Sequence, residues 1–135
     1  MSPDLLFVYG TLRPGARSPM TRFLKAHGVL VGRARYQGRL YRIAHYPGAV
    51  ASNDPRDMVI GDVFRLRDPA LVLKRLDIHE GCGPAARRPA EYRREIVTVK
   101  LDETGPAEAR TYLYNWPVKL TSQIRSGDFL SHRMC

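Results

Sequence analysis

Residues 6–15 read LFVYGTLRPG, and the reading of this stretch decides the fold. An apolar run ends on Tyr9 and breaks at once into Gly10, Thr11, Leu12, Arg13, Pro14 and Gly15. Residues 5–9 have the length and apolar continuity of a buried strand, and a glycine closes them. The turn that follows carries no acid, no histidine and no cysteine, so it offers backbone N–H groups rather than side-chain chemistry. Successive N–H groups in such a turn form a concavity suited to an anion. Gly10 is expected to permit the backbone conformation and the close approach that a Cβ would obstruct.

Outward from this turn, Ser18-Pro19 supplies a helix N-cap with proline at the first helical position. Met20, Phe23, Leu24 and His27 follow at helical spacing, and Gly28 ends the segment. Residues 29–43 read as extended with a break at Gly38. HYPGAV (45–50) reads as a turn into another short extended piece, and residues 59–66 as a strand. Asp68-Pro69 repeats the cap-then-proline signal ahead of a helix through Leu73 and Leu76 that ends near Gly81. Residues 92–101 are rich in β-branched side chains. GPA (105–107) is expected to turn the chain into a strand over 111–116, pairing the two as a hairpin. Strands interspersed with two short helices predict an α+β fold whose sheet curls into a small barrel.

The composition fits this size of core. The chain has 135 residues, 44% of them apolar and 26% charged, which suits one globular domain over 1–135 without linker or repeat. Its first four residues lack the basic start of a secretory signal, and no stretch approaches the ~20 apolar residues of a membrane span. Cys82 and Cys135 show no C-x-x-C spacing and fit free thiols in a reducing, cytoplasmic setting. The formal net charge is +9, and residues 1–53 hold eight Lys/Arg against one acid, Asp4. Such a basic half suits a nucleic acid, a membrane, a small anion or simply a solvated surface. Arg33, Arg35, Arg39 and Arg42 sit among strand-like residues, where alternation turns them to water. No basic-aromatic platform accompanies them, which favours the solvated face.

The candidate chemistry is sparse. The histidines at 27, 45, 79 and 132 have no metal-ligand spacing, so no metal site is expected. Serine-hydrolase elbows, P-loops and dinucleotide fingerprints are missing from the sequence. Cys82 is either a nucleophile with no assignable base or an incidental thiol. Glu80, in RLDIHEGCG (75–83), is the odd acid. It falls at the predicted C-terminal end of a helix, where unpaired carbonyls disfavour negative charge by roughly 0.3–1 kcal/mol. It reads either as an exposed glutamate beside a cap glycine or as a general base with a pKa raised toward neutrality. Asp77, one turn earlier, is expected to pack or cap locally.

Taken together, FVYGTLRPG (7–15), GRLYRIAHYPGAV (38–50), VIGDVFRL (59–66), LDIHEG (76–81), EYRREIVTV (91–99) and ARTYLYNW (109–116) occur in one order at sensible intervals. YGTL followed by YPG, LD-x-x-EG and Y-x-R resembles the gamma-glutamylcyclotransferase-like, or AIG2-like, family, which includes gamma-glutamylamine cyclotransferases. The resemblance runs from about residue 6 to residue 128. It implies an α+β fold, a small mixed β-barrel with flanking short helices. It also implies conversion of a gamma-glutamyl amine or amide to 5-oxoproline and free amine, without metal or organic cofactor.

By the same resemblance Glu80 is the catalytic acid/base, and Tyr9, Gly10, Thr11 and Leu12 line the pocket for the glutamyl moiety. Tyr114 lies on the aromatic strand that borders it. The implied partner is a small gamma-glutamyl substrate, with no specific nucleic acid and no membrane. Tyr92, Tyr112 and Tyr114 either line the pocket or pack across strands, and Arg94 matches the arginine of Y-x-R in a structural role. The chain departs from the family pattern at His79, at Ala16-Arg17-Ser18-Pro19, and in a long segment over 82–91 that is either a lid or an exposed loop. Two rival readings stand beside the enzyme: a non-catalytic binding module with the same pocket, and a basic nucleic-acid-binding barrel.

Overall fold

The computed structural model describes residues 4–16, 18–80 and 90–130. Its first strand, β1 (Leu5–Val8), carries the opening apolar run. β1 is buried on both faces, which is why its sequence does not alternate. Phe7 joins one apolar cluster with Tyr9, Val63, Val99 and Leu113. Leu6 and Val8 join another with Leu24, Val72 and Leu76.

Both helices start as the sequence predicts. In α1 (Pro19–His27) Ser18 Oγ accepts the Thr21 N–H at 3.2 Å, while Thr21 Oγ1 accepts the Ser18 N–H at 3.3 Å. Such a reciprocal cap contributes on the order of 1 kcal/mol. In α2 (Pro69–His79) Asp68 caps Leu71 and proline occupies the first turn. Leu24 of α1 and Val72, Leu73 and Leu76 of α2 bury their helical stripes against the sheet.

The remaining strands are β2 (Gly28–Arg42), β3 (Pro47–Ala51), β4 (Met58–Leu66), β5 (Tyr92–Leu101) and β6 (Gly105–Tyr114). Hydrogen bonding runs β3-β2-β4-β1-β6-β5, and β5 pairs again with β2 through residues 34–36 and 99–101. Five strands thus close a barrel, and closure removes the edges that an open sheet would leave. The barrel is mixed, because β1 runs antiparallel to β4 but parallel to β6. β2 makes closure possible. It is 15 residues long and slips register between Leu30 and Gly32, an irregularity that bends and twists a strand.

Two sequence expectations change here. Gly38 does not break β2. It marks the point where one continuous strand exchanges partners, with β4 opposite as far as Gln37 and β3 opposite from Gly38 onward. The GPA segment is not the hairpin turn. Leu101 pairs with Gly105, so residues 102–104 form the loop and Gly105, at φ +89°, opens β6. A three-residue hairpin loop closed by a left-handed glycine is a favoured connection.

The basic arginines behave as alternation requires. Arg33, Arg35 and Arg39 are exposed between buried Ala34, Tyr36 and Leu40. Arg13 is the exception to the solvated pattern. Its guanidinium is buried, donating from Nε to Asp62 on β4 and from NH1 to Asp128, each at 2.8 Å. This pair of bonds pins the turn after β1 to the barrel wall. Among the described residues no helix is long and apolar enough to cross a membrane.

Candidate active site

At the end of β1 the chain makes a tight turn in which the Gly10 carbonyl accepts the Arg13 N–H at 3.0 Å. The Thr11 carbonyl is drawn to the start of α1, accepting from Ser18 Oγ at 2.8 Å and Thr21 Oγ1 at 3.1 Å. Among the described residues the N–H groups of Gly10, Thr11 and Leu12 have no acceptor. All three residues line a cavity of about 570 Å³. A fixed turn with spare donors is what an anion requires. Gly10 is needed for close packing rather than for a special φ: a Cβ there would lie 2.7 Å from Pro47 Cγ.

The other walls come from distant segments. Ser18, Pro19 and Met20 enter from the start of α1, His45, Tyr46 and Pro47 from the β2–β3 connection, and His79 and Glu80 from the end of α2. Glu91, Tyr92 and Tyr112 complete the lining from the last two strands and their approach. Tyrosine hydroxyls tie these pieces together. Tyr9 donates to the Tyr112 carbonyl and accepts the Ala49 N–H at 3.1 Å. Tyr92 donates to the Pro47 carbonyl at 2.6 Å. Burial raises the pKa of both phenols, so they stay neutral as fixed donors.

Glu80 sits at the C-cap of α2, its N–H bonded to the Leu76 carbonyl at 2.8 Å. Its carboxylate is partly buried and has no hydrogen-bond or ionic partner among the described residues. Burial first, and then the charge of Glu91, push its pKa from 4.5 up to about 7. A carboxylate poised at neutrality suits proton transfer in both directions. His79, beside it, is exposed at the rim, and partial desolvation lowers its pKa. The cap glycine at 81, both cysteines and the 82–89 part of the long segment lie outside the described residues.

Asp77 has a different role from the local one expected of it. Both its oxygens accept from Arg94 NH1 at 2.8 Å, and Oδ1 accepts the Tyr112 hydroxyl at 2.7 Å. The LD-x-x-EG aspartate and the Y-x-R arginine are therefore two ends of one clamp, which fixes the last turn of α2 on β5 and β6. Tyr114 does not line the cavity. Its ring packs edge-on against Tyr92 at 5.3 Å and fills the space over Gly48, and burial followed by the neighbouring Glu91 carboxylate raises the pKa of its phenol.

Sequence reasoning also passed over Glu91. Its carboxylate accepts the Tyr46 hydroxyl at 2.6 Å. This bond, ahead of burial, pushes the Tyr46 pKa up to about 12. Asn115 fixes the backbone around Glu91, its N–H donating to the Glu91 carbonyl at 2.7 Å and its side chain to the Ala90 carbonyl at 2.9 Å. The available signals were Glu91 directly before the Y-x-R motif and Tyr46 inside HYPGAV. Among the described residues no group of three or more His, Cys, Asp or Glu is placed to hold a metal ion.

A closed five-stranded mixed barrel with two short helices thus carries a cavity lined by both a partly buried carboxylate and a donor-rich turn. The chain belongs to the gamma-glutamyl cyclotransferase, AIG2-like family, whose model matches residues 6–131. It is similar to the gamma-glutamylcyclotransferase family protein YtfP of Escherichia coli K12, 33% identical over 128 residues, covering 93% of this chain and 95% of that protein. The crystal structure of YkqA from Bacillus subtilis superposes with a TM-score of 0.72 at 28% identity, covering 98% of this chain and 42% of that one. An AIG2-like protein from Mus musculus shares the fold, with a TM-score of 0.64 at 21% identity over 84% of this chain and 78% of that one.

Proposed function

We propose that this chain is a gamma-glutamylcyclotransferase that converts a gamma-glutamyl amine or amide to 5-oxoproline and the free amine. One observation carries the reading: Glu80, whose carboxylate has no partner among the described residues, shares a cavity with a fixed turn whose three N–H donors are likewise without an acceptor among them. The substrate's α-carboxylate sits on the N–H groups of residues 10–12. Its α-ammonium cannot attack while protonated, and Glu80 takes that proton. The α-nitrogen then bonds to the δ-carbon and closes a five-membered lactam. Backbone donors stabilise the oxygen anion that develops. As the δ-carbon–nitrogen bond breaks, Glu80 gives its proton to the leaving nitrogen, then takes the second proton from the new lactam nitrogen and passes it to the freed amine, which departs as its ammonium form. Atoms balance without water or cofactor.

Arg13 and Asp77 support this chemistry indirectly. The buried Arg13 bonds hold the turn, and the Asp77–Arg94–Tyr112 clamp holds the helix end that presents Glu80. Such positioning matters because misplacement by about 1 Å costs on the order of 100-fold in rate. A panel of gamma-glutamyl amides assayed for 5-oxoproline tests the proposal. Release from at least one amide, dependent on Glu80, supports it. A folded protein that binds the amides without releasing 5-oxoproline sinks the enzyme in favour of the binding module.

A further inference from the structure

The chain carries a net charge of +9, yet no lysine or arginine lines the cavity among the described residues. The acids there are Glu80 and Glu91. The mechanism above uses Glu80 directly, and Glu91 enters it only through the charge that, after burial, helps raise the Glu80 pKa. Glu91 is nevertheless held on two sides, by Tyr46 at its carboxylate and by Asn115 at its backbone. Among the described residues no cation pairs with it. The wall at Glu91 therefore presents fixed negative charge inside a basic protein.

The reaction decides which cation that charge receives. The substrate's α-ammonium must give up its proton, and a second fixed carboxylate against it would hold the proton in place. The productive partner for Glu91 is a cation that survives the reaction, and that cation belongs to the leaving amine. We propose that Glu91, positioned by Tyr46 and Asn115, determines specificity by receiving a cationic group on the leaving amine, so that gamma-glutamyl amides of diamines are favoured over those of carboxylate-bearing amines. The inference rests on the functional reading above.

The test uses three amides that share the gamma-glutamyl half and a four-carbon amine, differing only at the far end: ammonium, methyl or carboxylate. Their kcat/KM values are measured by 5-oxoproline release for the wild type, Glu91→Gln and Tyr46→Phe. The wild type is expected to prefer the ammonium-ended amide over the methyl-ended one by about tenfold or more, and to use the carboxylate-ended amide least. Glu91→Gln is expected to bring the ammonium-to-methyl ratio close to one, and Tyr46→Phe to lower it part of the way. Equal efficiency on all three amides overturns the assignment of Glu91 and leaves the cyclotransferase standing. So does a preference that survives in a folded Gln variant. No 5-oxoproline from any of the three overturns both.

Discussion

Replacing Glu80 with glutamine keeps the size of the side chain and removes the group that takes the proton. Turnover is expected to fall by about 100-fold or more, the usual contribution of a placed general base. Stability is expected to move the other way. The Glu80 carboxyl titrates near 7 in the folded chain, against 4.5 for an unperturbed glutamate. Between these values the folded chain holds more protons than the unfolded one, so stability falls as pH rises through that window. The gap corresponds to about 3 kcal/mol at most. Solvent reaching the open cavity brings this to about 1–3 kcal/mol.

The glutamine variant escapes the loss. Above pH 8 it should melt about 3–10 °C higher than the wild type for a chain of this size, while near pH 4 the two should melt together. Wild-type kcat/KM should rise with pH through a midpoint near 7, so activity grows over the range where stability declines. The assays are 5-oxoproline release and circular-dichroism melts from pH 4 to 9. Near wild-type turnover in a folded Gln variant refutes the role of Glu80. A melting difference that is constant across pH refutes the burial argument.

Three further outcomes follow from the geometry. Gly10→Ala drives a Cβ against the Pro47 ring, 2.7 Å away; overpacking of this kind costs about 1–3 kcal/mol, and calorimetry should show weaker 5-oxoproline binding alongside the lower melting temperature. Asp77→Asn leaves Arg94 without its carboxylate, and chemical denaturation should report a loss of about 2–4 kcal/mol, together with lower kcat as the helix end loosens. DNA and RNA titrations should give weak affinity that collapses with added salt, since the exposed arginines are a solvated face; tight, sequence-selective binding at physiological salt would revive the nucleic-acid reading.

What the sequence disclosed follows the range of the interactions. The caps at Ser18 and Asp68 are local hydrogen bonds, so short motifs expose them. β1 was legible because burial on both faces leaves a continuous apolar run. The role of Asp77 was hidden because its partners lie 17 and 35 residues away, and no periodicity links them. Tyr112 and Tyr114 share a strand face by parity, which cannot tell which one reaches the cavity; β3 packing over Tyr114 decides it. Gly38 looked like a breaker because a glycine in a strand reads the same whether the strand ends or exchanges partners. Glu91 lacked any periodic or capping signature, and only the closed barrel brings it beside Tyr46.

The contact between Gly10 and Pro47 ties two walls of the cavity to each other. The turn that would hold the anion and the connection that bears His45 and Tyr46 meet where a ring rests on a missing side chain. Neither position is free to drift alone. A lineage that gains a side chain at position 10 is relieved of the clash by giving up the ring at position 47, and doing so loosens the loop that steadies Glu91. Relatives should therefore inherit the two residues as a pair, and those that have exchanged one should have exchanged the other. Where the pair has changed, a different leaving group is the expected companion, because the same loop frames both ends of the substrate.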